Sequence, residues 1–297
     1  MAGESNFHVG FSAYDAGKFD EAIKSFQTCL DSKAPEHVRE KAAYKLAWAH
    51  YKQKQFQQAL ESFTTQTDSF ASGDLYSDGL FMVAESQFQL KNYEAALAGY
   101  LTAQPIIEAS QAIKPRIKWL TMLHGAQSAN QVKKYETAIK LASGIKESDA
   151  EDVFKQDANL ELGIAHAALS QPEQAMESYR RAAENLGRTG ARARCRIGDM
   201  LFADKKFQEA ENEFKLVYFG FGGPQAAEDV KPWQAYAIYE AARSNFVQIE
   251  SAPAELKQRL ITDSIRQFEY LLENYPNDKL AAQAKRQVEA ISKLKTN

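Results

Sequence analysis

Hydrophobic positions in this chain keep a helical rhythm that resets at a fixed interval. In YDAGKFDEAIKSF (14–26), Phe19 is followed three residues later by Ala22 and four residues after that by Phe26, a spacing that puts all three on one helical face. The same triplet returns in YKQKQFQQALESF (51–63) and FQLKNYEAALAGY (88–100), displaced by 37 residues each time. Looser copies follow at 130–142, 167–179 and 202–214, so the central alanines are Ala22, Ala59, Ala96, Ala138, Ala175 and Ala210. A small residue (Gly10, Ala47, Ala84, Ala126, Gly163 or Gly198) precedes each alanine by twelve positions, where it would let two helices approach closely. In the fifth copy Pro172 replaces the aromatic residue, and a proline that opens a helix loses no useful N–H.

A seventh, degenerate copy is read in 233–248 and 264–278, with Ser264 in place of the alanine, Phe268 and Leu271 following at helical spacing, and Pro276 as a stop. The last segment carries Gln283, Lys285, Arg286, Glu289 and Lys293, a polar set suited to a solvated capping helix. Two stretches break the rhythm. Around AQPIIEASQAIKPRIKW the alanine spacing stretches to 42 residues, and Pro105 and Pro115 there predict a lengthened helix pair or an altered turn of the array. In VYFGFGGPQAAEDVKPW (217–233), Gly220, Gly222, Gly223, Pro224 and Pro232 predict a loop.

With this period and these marked positions, the chain resembles the tetratricopeptide repeat family, whose unit is a helix-turn-helix of about 34 residues. The resemblance implies an all-α, right-handed α-solenoid of about seven units (4–34, 39–72, 76–110, 117–147, 154–186, 190–219 and 232–276) with a cap at 278–295, a single array over 1–297. It also implies a non-enzymatic scaffold that binds a partner peptide or helix in the concave groove lined by the first helices. Two alternatives stand beside it: a structural spacer that stacks end to end, and an accessory helical region of a larger enzyme. LLENYPNDKLAAQAK is similar to repeats of bacterial Tol-associated and outer-membrane-assembly members of the family. The first unit starts without a cap helix ahead of it, so an upstream repeat, a partner or self-association through that edge is expected.

Composition narrows the chemistry. With 36 Lys+Arg against 39 Asp+Glu, the net charge of -3 gives no footprint for a nucleic-acid backbone. No apolar stretch suits membrane insertion, and the first residues hold no signal peptide, which leaves the compartment unassigned between cytoplasm and periplasm. Cys29 and Cys195 read as buried small apolar residues. The five histidines (His8, His37, His50, His124, His166) form no metal-ligand spacing; His50 and His166 occupy matching positions in their units and read as packed and hydrogen-bonded. The glycine-rich stretch lacks the strand and Lys-Ser/Thr pair of a phosphate loop. No catalytic residue, metal or cofactor is nominated.

Candidate partner-binding residues come from reading the first helices at i, i+4 and i+7: Phe7, Phe11 and Tyr14, then Tyr44, Trp48 and Tyr51, then Phe81, Glu85 and Phe88. Later units lose the aromatics, with Leu123, Gln127 and Asn130 followed by Leu160, Ile164 and Ala167. Groove and core are both open as roles for this set, and Phe11 and Trp48 stand out because the family usually has a polar residue there. The family's carboxylate clamp asks for Lys and Asn at the first two stripe positions, which here hold Phe7/Phe11 and Tyr44/Trp48. Phe219 and Phe221 are expected on a loop, packing on the array or gating its inner face.

Overall fold

The computed structural model describes residues 2–110 and 113–294, and among them it contains fifteen α-helices and no strand. The helices gather into two compact units, residues 1–150 and residues 151–297. The first holds α1 (Ala2–Asp15), α2 (Phe19–Leu30), α3 (Glu36–Lys52), α4 (Phe56–Ser69), α5 (Tyr76–Gln89), α6 (Tyr93–Ala109), α7 (Pro115–Gln131) and α8 (Tyr135–Lys146). The second holds α9 (Asp152–Ala168), α10 (Pro172–Ala182), α11 (Arg188–Ala203), α12 (Phe207–Gly220), α13 (Lys231–Phe246), α14 (Ala254–Asn274) and α15 (Ala281–Leu294). Within each unit every helix packs on its neighbours in the chain, the layering of an α-solenoid.

The repeated triplet builds this packing. Ala22, Ala59, Ala96, Ala138, Ala175 and Ala210 are all 0% exposed, so a larger side chain would separate the helices. The small residues ahead of them are seats for aromatic rings. A Cβ added at Gly10 would lie 2.7 Å from the Phe26 ring, and at Gly163 and Gly198 it would lie 2.5 Å from Tyr179 and Phe214. Phe26, Phe63, Tyr100, Phe214 and Phe268 are fully buried, each contributing roughly 1.5–3 kcal/mol of hydrophobic free energy. Ser264 follows the alanines in being fully buried, and its hydroxyl is satisfied by donating to the Ala242 carbonyl at 3.2 Å.

The turn inside each of the first six repeats is a left-handed cap. Gly17, Lys54, Lys91, Lys133, Ser170 and Lys205 all have φ between 58° and 74°. The following N–H reaches back to the last helical turn, as in Gln55 N to His50 O at 3.0 Å and Lys206 N to Leu201 O at 2.9 Å. Only the first of these sites uses glycine, and the other side chains meet the steric cost of this conformation. His50 Nδ1 to Gln55 Oε1 at 2.8 Å and His166 Nδ1 to Gln171 Oε1 at 2.6 Å bridge the same turn in two repeats.

The irregular stretches differ from the sequence expectation in detail. Pro105 sits inside α6, which runs to 17 residues, while Pro115 opens α7 at its first turn; Gln111 and Ala112 lie outside the described residues. Gly220 is the last residue of α12, one beyond Phe219, so the helix carries Phe219 in its last turn rather than on a loop. The chain reverses instead at Gly222 and Gly223, whose φ values of 89° and 53° lead into the short 3₁₀ turn Gly223–Gln225. Pro232 lies in the first turn of α13, and within the segment expected as a cap, 278–295, α15 runs over Ala281–Leu294, residue 295 lying outside the description.

Candidate functional site

In unit 1 the first helices α1, α3 and α5 carry the aromatic stripe, and their side chains divide into two sets. Tyr44 (9% exposed), Phe81 (6%) and Glu85 (6%) are buried, on the core side of the two roles open to the stripe. Tyr44 turns inward against Phe63, with ring centroids 5.8 Å apart, and its hydroxyl donates to Asp78. Phe81 packs on Tyr100 at 6.1 Å. Phe7, Tyr14, Trp48, Tyr51 and Phe88 are half-buried, and Phe11 is 38% exposed.

The accessible rings touch one another. Phe7 lies 6.2 Å from Phe11, and Trp48 lies 5.4 Å from Tyr51, in edge-on contact. Two cations border them. Lys45 Nζ stands 5.3 Å from the Phe11 ring and 4.9 Å from the Tyr14 ring, joining α1 to α3, and Lys52 Nζ lies 5.7 Å from Trp48. Neither lysine was singled out from sequence, although Lys45 directly follows a stripe residue.

Glu85 organises the polar part of this region. Its Oε1 accepts from Gln89 Nε2 at 2.9 Å and from the Tyr51 hydroxyl at 3.2 Å. Its Oε2 accepts from the Tyr100 hydroxyl at 2.8 Å and pairs with His124 Nδ1 at 2.7 Å. Burial pushes the carboxyl pKa upward, but the hydrogen bond and charge of His124, with the bonds from Gln89 and Tyr100, outweigh burial and hold it at about 2. Burial and the Glu85 charge push the Tyr51 and Tyr100 hydroxyls well up. Phe88 lies flat on the His124 ring, with centroids 4.9 Å apart and planes 7° from parallel. His124 was missed as a partner because it is 39 residues from Glu85 and beside, not on, the stripe of α7.

Unit 2 presents a different surface from the corresponding helices. Counting back from Ala210 as for the earlier units gives Cys195, Asp199 and Phe202. Asp199 accepts from Tyr236 at 2.6 Å and pairs with Arg196 at 3.0 Å. Burial raises its carboxyl pKa, and these partners offset that only in part. Arg243 pairs with Glu240 at 2.8 Å and lies 4.4 Å from the Phe202 ring, while Arg192 approaches Glu161 at 3.7 Å and lies 5.7 Å from Trp233. Charges on this face meet one another. Leu160 is buried, as is Leu123 in unit 1, so the later stripes contribute core at their first positions.

Phe221 is half-buried against the core of unit 2, whereas Phe219 is 67% exposed and borders a cleft of about 550 Å³ with Tyr218, Tyr270 and Arg266. Cys29 and Cys195 are free and buried, and burial raises both thiol pKa values. Among the described residues, no group of three or more His, Cys, Asp and Glu could hold a metal ion, and no helix is long and apolar enough to cross a membrane.

Comparison with known proteins agrees with this architecture. A tetratricopeptide repeat protein from Parabacteroides merdae matches 98% of this chain and 99% of its own, with a TM-score of 0.61 at 14% identity. The C-terminal part of a repeat-containing protein from Cytophaga hutchinsonii matches 94% of this chain and 98% of its own, with a TM-score of 0.62 at 14% identity. A signal transduction ATPase with a tetratricopeptide repeat sensor, from Pyrococcus horikoshii, matches 91% of this chain but 42% of its own length, with a TM-score of 0.61 at 17% identity. At these identities the likeness is one of fold. No protein of curated function matches the sequence. The tetratricopeptide repeat profile matches residues 12–64, 44–111 and 160–227, more than half of the chain. Together with the buried alanines and the repeated turn, that match makes this chain a member of the tetratricopeptide repeat family.

Proposed function

We propose that the protein is a non-enzymatic interaction scaffold and that the accessible aromatic face of unit 1 receives an extended or helical segment of a partner protein. Tetratricopeptide arrays bind protein partners, and one observation carries the finer assignment: Phe7, Phe11, Tyr14, Trp48, Tyr51 and Phe88 leave ring surface unburied along successive first helices. Half-buried aromatics are held in place by the core and offer apolar area at little further cost in side-chain entropy, the property of binding hot spots. Lys45 and Lys52 add cations at the edge of these rings, while the neighbouring carboxylates of Glu85 and Asp78 are occupied by internal donors.

Replacing Phe11 and Trp48 by alanine should weaken partner capture by about tenfold or more, the scale of one hot-spot residue. The far-ultraviolet circular dichroism should keep its helical signal. Undiminished capture by a folded double variant removes the aromatic face as the binding surface. A second reading, end-to-end stacking, draws support from Val9, an apolar residue 55% exposed on the first helix. Sedimentation over a concentration series tests it, and a monomer at every concentration rejects it.

A further inference from the structure

We propose that the segment received by unit 1 is an internal, acidic stretch of a partner protein, in which Asp or Glu flank an apolar side chain, seated on Lys41, Lys45, Trp48 and Lys52 of α3. As a statement of partner chemistry, it rests on the function proposed above. These four positions are spaced i, i+4, i+7 and i+11, which sets them along one face of the helix. Lys41 and Lys52 are exposed, and Lys45 is half-buried. Among the described residues, none of the three lysines forms an ion pair.

The cations of unit 2 are treated differently. Arg192, Arg196 and Arg243 each meet a carboxylate, at 3.7, 3.0 and 2.8 Å. Unit 1 has acids near its first helices too, but Glu85 is taken up by Tyr51, Tyr100, Gln89 and His124, and Asp78 accepts from Tyr44. The positive charge of α3 is therefore left without an internal counter-charge.

Lys45 carries most of the argument. Lys52 lies in the last turn of α3, where the helix dipole alone favours a cation. Lys45 has no such support, and the like charge of Lys41 one turn away works against the helix. Its Nζ is held 5.3 Å from the Phe11 ring and 4.9 Å from the Tyr14 ring. Ring faces orient a cation without neutralising it. An ammonium aimed in this way and partly withdrawn from water attracts a carboxylate more strongly than a fully solvated lysine does.

The spacing sets the form of the segment. Lys45 and Lys52 stand two turns apart, about 10 Å along the helix axis, with Trp48 between them. An extended chain covers that distance in about three residues. The matching segment has two acids about that far apart, with an apolar side chain between them to meet Trp48. Side-chain carboxylates suffice, so no chain terminus is required.

The test selects internal peptides and reads their charge. Random short segments displayed on phage, fused at their C-terminal end so that only side chains offer carboxylates, are selected on the full chain at about 0.1 M salt. Asp and Glu should be enriched about two- to threefold over the starting pool. A selected segment, acetylated and amidated at its ends, is then titrated by fluorescence anisotropy. Lys45→Met with Lys52→Met should weaken it about fivefold or more, and so should replacement of its acids by Asn and Gln, while both changes together should cost little more than either alone. Circular dichroism checks that the variant keeps its helices. The wild type gives an independent reading, because raising salt from about 0.05 to 0.5 M should weaken the acidic segment severalfold and leave its Asn and Gln version nearly unchanged. Binders of neutral or basic composition, undiminished binding by the lysine variant, losses that simply add, or an absent salt response overturn the proposal. Acid-free binders lost on Phe11→Ala with Trp48→Ala keep the aromatic face and reject its acidic partner. Acidic binders that need the lysines but not those two rings do the reverse, and a library that yields no binder rejects both.

Discussion

Units 1 and 2 use the same packing rules to support surfaces that differ in charge. Both bury a central alanine beside a large ring, as Ala59 with Phe63 and Ala210 with Phe214, and both use the left-handed cap, at Lys54 and Lys91 in unit 1 and at Ser170 and Lys205 in unit 2. On the first-helix face both units leave half-buried rings, Trp48, Tyr51 and Phe88 in unit 1 and Phe202, Trp233 and Tyr236 in unit 2, but only unit 1 adds the exposed Phe11, whereas unit 2 sets its rings among Asp199, Arg196, Arg243 and Glu240, already paired internally. Positions that fix the distance between helices are under steric constraint, and positions one turn away are free to vary. Shared architecture therefore says little about which unit binds, and the difference between the faces says more.

The comparison is broken most severely at the shared core. Phe63→Ala and Phe214→Ala should each cost about 3–5 kcal/mol, because both rings are fully buried, and denaturant unfolding of either variant measures it. Similar losses in the two units support a common packing rule, and a small loss in one would limit the rule to the other.

Next come two of the buried carboxylates, one taken from each unit. Glu85→Ala strands the Tyr51, Tyr100, Gln89 and His124 donors, and Glu211→Ala strands Asn245, Gln267 and Lys215. Each should cost roughly 2–4 kcal/mol near neutral pH. The Glu85 carboxyl is depressed in the folded state, so its contribution is present above its ordinary value and is lost as pH falls from there toward about 2. Unfolding of the wild type and Glu85→Gln across that acid range should therefore converge.

Unit 1 also contains a polar residue where the repeat expects an apolar one. Gln66 is fully buried, one period after Cys29, and neither atom of its amide has a hydrogen-bond partner. Gln66→Met should raise stability by about 1–2 kcal/mol by removing unpaired buried groups at similar volume. A loss of stability would show that the amide has a role that its packing does not explain. The smallest expected effects lie at the turns: Lys91→Gly in unit 1 and Lys205→Gly in unit 2, with φ of 62° and 61°, should each gain up to about 1 kcal/mol, visible as a higher thermal midpoint.

The steric part of this plan was legible in the sequence. Alanines and glycines recur because a ring must fit above them, and period alone locates them. The aromatic stripe was only partly legible, since helical spacing cannot tell which member of a triad rotates inward; Tyr44 and Phe81 turn toward the second helices, and Phe11 does not. The Glu85 hub joins residues from four helices, so no local pattern announces it, although a lone acid in an aromatic stripe was a signal. Phe219 was assigned to a loop because glycine was read as a stop, yet only Gly222 and Gly223 need the left-handed region. The charged face of unit 2 could have been found by carrying the alanine offset on to Ala210, which yields Asp199.

The difference between the two faces is tested most directly by matched capture from cells that natively express the protein, quantified by mass spectrometry. Phe11→Ala with Trp48→Ala alters unit 1, and Asp199→Ala with Arg243→Ala alters unit 2, each checked for its helical circular dichroism signal. Loss of partner by about tenfold or more in the first pair, with retention in the second, is the predicted result. Retention in the first pair, or an equal loss in both, would contradict the assignment of partner binding to the aromatic face of unit 1.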